Sequence, residues 1–214
     1  MNSLLKKFDT KRSVIFILIL IFLDQFIKFF IKLNYPITAY GEPPIIDLGF
    51  FKLLFIENKG MAMGARLNNL IPFLDDNTAK LILTLFRIFA CVGLGFWLKS
   101  VLKNNGSRLL IICLCLIFAG AVGNLIDSVF YGMIFSSSYG QVATLFPEAG
   151  YASIFYGSVV DMIQFPLATW NWPKWIPIVG GEQYTFFEYV FNFADSYIST
   201  GVILLLVFNK KTSL

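Results

Sequence analysis

The chain has no histidine in 214 residues. That absence excludes HExxH zinc proteases, serine or cysteine triads built on an imidazole base, and histidine proton relays. Cysteine is scarce as well. Cys91, Cys113 and Cys115 are odd in number, form no CxxC pair and lie inside apolar runs. They imply neither a disulfide framework nor a metal site, and read as small apolar filler. Charged residues make up only 14% of the chain, and no internal repeat or low-complexity tract is present. What fills the sequence is apolar: 57% hydrophobic residues, 24 of them Phe, with a mean hydropathy of +0.71. An ordinary soluble domain is not this apolar, and the composition reads as a polytopic membrane protein.

Four segments are long and apolar enough to span a bilayer, at about 13–33, 79–98, 109–128 and 186–208. The expected fold is therefore an all-α membrane protein, four transmembrane helices with a small extracytoplasmic β-rich segment. The first span is not read as a cleavable signal peptide. Its apolar run is too long, it contains Asp24 and Lys28, and no small-x-small site follows. The net charge of +4 is most informative by position. Lys6, Lys7, Lys11 and Arg12 precede the first span, Lys99, Lys103 and Arg108 lie between the second and third, and Lys210 and Lys211 follow the fourth. With four spans these nine residues share one side, which the positive-inside rule makes cytoplasmic. The segments at about 34–78 and 129–185 then face outward, holding only Lys52, Lys59, Arg66 and Lys174. Residues 45–65 and 154–165 have the broken alternation of short strands. The three tryptophans of the Pro- and Trp-rich run 166–183 suit the headgroup interface, the alternative being an irregular surface loop.

The polar residues of the spans gather in one layer. Asp24 and Lys28 are four apart in the outer half of span one and share a helix face, as a structural ion pair would. Asn124 and Asp127 end span three, after Gly120 and Gly123, whose small size permits close helix approach. They read as capping or bracing that helix end. Asn192 and Asp195 are placed about 10 Å below the outer surface in span four, and Asp161 approaches the same layer from YGSVVDMIQF. Arg87 in span two has no evident partner and is expected to snorkel or to meet a carboxylate. An ionisable group at membrane depth is costly and normally functional. Asp161 and Asp195 are accordingly candidates for acid–base chemistry or for ion transport.

Five short motifs in order carry a resemblance to a known family. They are Asp24-Gln-Phe-Ile-Lys28; Asn58-Lys-Gly60-Met-Ala62 with Gly64 following; Gly120-Ala-Val-Gly123-Asn124-Leu-Ile-Asp127; Val159-Val160-Asp161; and Phe191-Asn192-Phe-Ala194-Asp195. Together they resemble the lipoprotein signal peptidases, signal peptidase II, over Asp24 to Ile198. The chain departs from that pattern at Ser128, where the family usually has Arg, at Met63, where an aromatic is familiar, and in a longer segment between spans three and four.

The resemblance implies a single polytopic protease domain over 1–214, in the bacterial cytoplasmic (inner) membrane. Both termini would be cytoplasmic and the active site near the outer leaflet. It implies an aspartic endopeptidase that cuts diacylglyceryl-modified prolipoproteins before the lipidated cysteine, with membrane lipid as surroundings. Nucleic acid, metal and cofactor have no part, and inhibition by globomycin-like cyclic peptides is expected. Asp161 and Asp195 match the catalytic pair, sharing one proton so that one activates water while the other polarises the scissile carbonyl and protonates the leaving amine. Asn58, Gly60, Gly120, Asn124, Asp127, Asn192 and Ala194 match positions that line or brace the substrate site. Read without the resemblance, the same intramembrane charges also fit a small proton- or ion-coupled transporter, which the absence of inverted repeats disfavours. A non-catalytic scaffold would leave the shared depth unexplained.

Overall fold

The structure is a computed structural model and describes residues 9–38, 43–60 and 74–208. Among these residues three helices are long and apolar enough to cross a membrane. Helix α1, Thr10–Asn34, starts where the Asp9 side chain accepts the Arg12 amide at 2.8 Å and ends just before Pro36. Helix α2, Asp76–Lys103, is capped by Asp75, and helix α3, Arg108–Ile126, by Ser107. Short polar caps are favoured here because they satisfy first-turn amides. Beyond Ile126 the chain winds through a π-helical turn, Asp127–Tyr131, and a last turn, Gly132–Ile134. Helices α1 and α2 are somewhat longer than the spans expected at 13–33 and 79–98, and the third exceeds 109–128 once the turns to Ile134 are included.

The fourth differs more. The sequence places a span at 186–208, but helix α4 begins at Phe193 and covers Phe193–Val207. Residues just upstream form a short strand, Val190–Phe191. Two local signals outweigh hydropathy. Val and Phe favour a strand, and Asn192 with Asp195 makes a reciprocal capping box that fixes the helix start. Asp195 thus lies in the first helical turn, not about 10 Å down a span that starts at 186. At 15 residues α4 is about 22 Å long, short of the ~20 residues that a crossing needs.

Helix α3 is central and packs on α1, α2 and α4. Glycines allow the closest contact. A Cβ on Gly120 would overlap the Ala194 carbonyl oxygen, and one on Gly201 would stand 2.8 Å from the Cys113 carbonyl oxygen. Those two pairings run in opposite directions, so α3 and α4 are antiparallel. At one end of the bundle Ile17, Leu20, Leu98, Val101, Leu110 and Leu114 form an apolar core. Lys11, Arg12, Lys99, Lys103 and Arg108 sit on the turns nearest it. At the other end Ile31, Phe55, Tyr131, Phe135, Val160 and Met162 form a second core, where a sheet packs onto the helix ends.

That sheet has the order β1 (Ile46–Asp47), β2 (Lys52–Asn58), β3 (Val159–Gln164) and β6 (Val190–Phe191), with every pair antiparallel. An irregularity between Leu53 and Ile56 puts an extra residue into β2 opposite β3. Such a bulge re-aims the strand beyond it, here the stretch that ends at Asn58. Residues 61–65 of the strand-like segment, Ala62 and Gly64 among them, lie outside the described residues. The 166–183 segment is not simply irregular. β4 (Ala168–Asn171) pairs with β5 (Gln183–Phe186) in a separate hairpin, where Trp170, Trp172 and Tyr184 cluster.

Candidate active site

Strand β3 delivers Asp161. Its neighbours Val160 and Met162 are wholly buried in the apolar core, so period-two alternation turns the carboxyl to the opposite face, toward α3 and α4. Asp161 is 4% exposed. Its Oδ2 accepts from Asn58 Nδ2 at 3.0 Å and its Oδ1 from Asn192 Nδ2 at 2.7 Å. Asn58 can reach because Ile56 pairs with Asp161 across the sheet, and residues two apart on a strand share a face. The Asn58 Oδ1 in turn accepts the Gly60 amide at 2.8 Å.

The start of α4 delivers Asp195. Asn124 Nδ2 donates to its Oδ1 at 2.7 Å, and Asn192 N donates to its Oδ2 at 3.4 Å. Asn192 Nδ2 also donates to Asn124 Oδ1 at 3.1 Å. The two carboxyls, 34 positions apart in sequence, therefore hang on one pair of asparagine amides. Burial and then the charge of Asp195 push the Asp161 carboxyl up to about 7, against the opposing hydrogen bonds from Asn58 and Asn192. A carboxyl raised this far beside a second carboxylate is the arrangement in which a pair holds one proton near neutrality.

A charged hub lies behind the pair. Lys28 Nζ contacts Asp24 Oδ2 at 2.9 Å, Asp127 Oδ2 at 2.8 Å and Asn124 Oδ1 at 3.1 Å. All three ionised side chains are 0–1% exposed. The ion pair expected within α1 is thus one arm of a three-way contact. Asp24 Oδ1 accepts the Ala194 amide at 3.0 Å, and Asp127 Oδ2 accepts the Val160 amide at 3.2 Å. Each buried carboxylate fixes the backbone next to one of the paired aspartates. Asp127 does not merely close α3; it ties the helix end to β3. Gly120 faces Ala194 at a distance that only a missing side chain permits.

Asn58, Asn124, Asp127, Asn192, Ala194, Asp161 and Asp195 therefore come together. Gly60 joins through Asn58, Gly120 through Ala194, and Asp24 and Lys28 through the hub. Arg87 also has partners. Its Nη1 donates to Ser128 Oγ at 2.6 Å and its Nη2 to the Gly60 carbonyl at 3.1 Å, and it lies within electrostatic reach of Asp127, Asp195 and Asp161. At Ser128, where the resemblance leads one to expect Arg, the guanidinium of Arg87 on another helix lies at hydrogen-bond distance.

Sequence reasoning passes over Gln25. Its amide nitrogen reaches Asp127 Oδ1 at 2.9 Å, Asp24 Oδ2 at 3.2 Å and the Gly123 carbonyl at 3.2 Å, and its oxygen accepts from Tyr131 at 3.0 Å. The signal was available, since an amide inside an apolar span must find partners. Lys32 is a second omission. It pairs with Glu57, donates to Ser138 Oγ at 2.8 Å and lies 4.8 Å from the centre of the Tyr151 ring, bracing the sheet on α1. Among the described residues no three His, Cys, Asp or Glu side chains cluster as metal ligands.

The family described as signal peptidase (SPase) II matches residues 16–209. The chain is 44% identical over 201 residues to a lipoprotein signal peptidase of Porphyromonas gingivalis, covering 92% of this chain and 81% of that protein. It is 33% identical over 198 residues to a lipoprotein signal peptidase of Amoebophilus asiaticus, covering 92% and 76%. Two solved bacterial membrane enzymes share the fold. One has a TM-score of 0.60 at 20% identity, covering 97% of this chain and 98% of that one. The other has a TM-score of 0.56 at 25% identity, covering 97% and 93%.

Proposed function

The chain belongs to the signal peptidase II family, and from that premise we propose that it works as an aspartic endopeptidase with Asp161 and Asp195 as the catalytic pair. It is a multi-pass membrane protease that removes signal peptides from prolipoproteins. The observation that carries the aspartic mechanism is the Asn124–Asn192 amide pair, which holds both carboxyls at one place.

The roles follow from the surroundings. Asp161, raised to about 7 by burial and by Asp195, carries the shared proton and is the acid. Asp195, at the positive end of α4 and held by Asn124, is the base. Asp195 takes a proton from water as the water oxygen bonds to the scissile carbonyl carbon. Asp161 first hydrogen-bonds the carbonyl oxygen, then passes its proton to the leaving amine as the C–N bond breaks. The proton left on Asp195 returns to Asp161 and resets the pair. The hub of Lys28, Asp24 and Asp127 holds the backbone on both sides of this exchange.

Residues 1–214 act as a single unit in the bacterial inner membrane, with both termini cytoplasmic and the catalytic pair near the outer leaflet. Helix α4, although shorter than a full span over its described residues, serves as the fourth crossing: it runs antiparallel to α3, and its Leu205 reaches the core at the basic end of the bundle. Asn58 and Gly60 line the site on the sheet side, and the close Gly120–Ala194 contact braces it from behind. The substrate carries a diacylglyceryl group on the cysteine that follows the cut, and membrane lipid surrounds the entrance. Globomycin-like cyclic peptides would compete for the same cleft.

The test is cleavage by the purified protein of a synthetic peptide spanning a lipoprotein signal junction, with the product termini read by mass spectrometry. A single cut before the diacylated cysteine, and none in the same peptide without lipid, is expected. Equal cutting of both peptides would overturn the substrate assignment. Transport of protons or ions without hydrolysis has no supporting observation.

A further inference from the structure

A second polar feature lies beside the catalytic cleft and takes no part in the chemistry above. At the start of α2 a cavity of about 290 Å³ is lined by Lys59, Gly60, Asp76, Lys80, Tyr151 and Tyr156 among others. Lys80 is 6% exposed, and among the described residues its Nζ has no hydrogen-bond partner. Most buried ammonium groups are paired, because an unpaired one carries its full desolvation penalty. Neighbouring charges do not compensate it: Arg87 and Lys59 both repel Lys80, and the attraction of Asp127 is weaker than the repulsion of Arg87. One carboxylate, Asp76, shares the lining.

Among the described lining residues the cations Lys59 and Lys80 thus outnumber the one carboxylate, and the buried cation has no hydrogen-bond partner among them. Helix N-terminal amides do not fill the gap. Asp75 already accepts from Asn77 N and Thr78 N, each at 3.1 Å. Depth narrows the ligand. Helix α2 has 28 residues and is about 42 Å long, against ~30 Å of hydrocarbon. With that excess shared between the two ends, the first turn of α2 stands at the headgroup layer, where phosphate is the abundant anion.

We propose that this cavity binds a phosphate group, with Lys80 as its principal contact and Lys59 at the mouth. The headgroup of a membrane phospholipid is one source and free inorganic phosphate the other. A bound phosphate would complete the charge balance next to Gly60, whose carbonyl Arg87 holds at 3.1 Å.

The experiment uses the full chain in detergent. Retention of phosphatidylglycerol and of diacylglycerol, which has the same acyl chains and no phosphate, is measured by native mass spectrometry for the parent, Lys80→Met and Lys80→Arg. Thermal shifts with inorganic phosphate are recorded in parallel. The parent is expected to retain phosphatidylglycerol over diacylglycerol. Lys80→Met should lose that preference by about tenfold, the value of a charge-assisted hydrogen bond, while Lys80→Arg keeps most of it. Lys80→Met removes a buried amine that has no hydrogen-bond partner among the described residues, so it should fold at least as well as the parent when no lipid is added. Stabilisation of the parent, and not of Lys80→Met, by inorganic phosphate without a lipid preference would also support the site and name free phosphate as the source. Equal retention of both lipids by the parent, together with no phosphate shift, overturns the proposal. So does equal behaviour of the parent and Lys80→Met. A Lys80→Met protein that keeps phosphatidylglycerol but binds an acidic substrate peptide more weakly also overturns it, because the cavity would then serve the peptide.

Discussion

Replacing Asp161 by asparagine should change how the stability of this protein depends on pH. Asp161 is 4% exposed, and folding lifts its carboxyl from 3.8 to about 7. A carboxyl raised by folding holds its proton more tightly in the native state than in the unfolded one. Between pH 4 and 7 the unfolded chain therefore binds fewer protons than the native chain, and stability falls as pH rises. The span corresponds to a loss on the order of 4 kcal/mol across that window. The side-chain amide introduced by Asp161→Asn cannot titrate, so the variant lacks this loss. It does carry a cost of its own. Asn58 and Asn192 both donate to Asp161, and an asparagine offers a single acceptor oxygen. One donor is left unpaired, at about 1–3 kcal/mol independent of pH. The slope is the informative quantity, not the offset. Unfolding of the parent and Asp161→Asn in one detergent, from pH 4 to 8, should show the variant gaining on the parent up to about pH 7 and then running level. A difference that stays flat, or that moves the other way, would refute the claim that Asp161 is buried against a second carboxylate.

Lys28→Met leaves Asp24 and Asp127 buried without their cation. It should cost about 3–5 kcal/mol in thermal stability, with a smaller change in turnover per folded molecule; normal stability without activity would instead place Lys28 in the chemistry. Gly120→Ala gains helix propensity yet drives a methyl into the Ala194 carbonyl oxygen. A net loss of about 1–3 kcal/mol is expected from overpacking, and a variant as stable as the parent would contradict the α3–α4 contact. For orientation, Glu148→Cys in cells should react with an impermeant thiol reagent added from outside and Asn104→Cys should not. The native cysteines are buried. The opposite pattern would invert the topology.

Much of the site is legible because membrane burial makes polar residues conspicuous. Asp24, Lys28, Asn124, Asp127, Asn192 and Asp195 stand out against apolar runs, and the structure gathers them with Asp161. Hydropathy does not show who pairs with whom. Lys28 meets Asp127 as well as Asp24, a contact set by how α1 and α3 pack, not by spacing within either. Gln25 is uncharged and does not stand out, although four groups use it. Arg87 finds a partner in Ser128 only once α2 and α3 are side by side. The late start of α4 is decided by the Asn192–Asp195 capping box, a local backbone signal that a sliding average of hydropathy does not register. The β4–β5 hairpin arises from cross-strand pairing of Thr169 with Thr185 and Trp170 with Tyr184, partners separated by a loop that carries no alternating pattern.

The most direct test of the central claim is single-turnover cleavage of a diacylated signal-junction peptide by Asp161→Asn, Asp195→Asn and the double variant. Each protein is first shown to be folded and to bind the peptide. Both single variants should bind and fail to cut, and the double variant should be no worse than either, because two groups that pass one proton act as a unit. Cleavage by either single variant at close to the parent rate would contradict the aspartic pair.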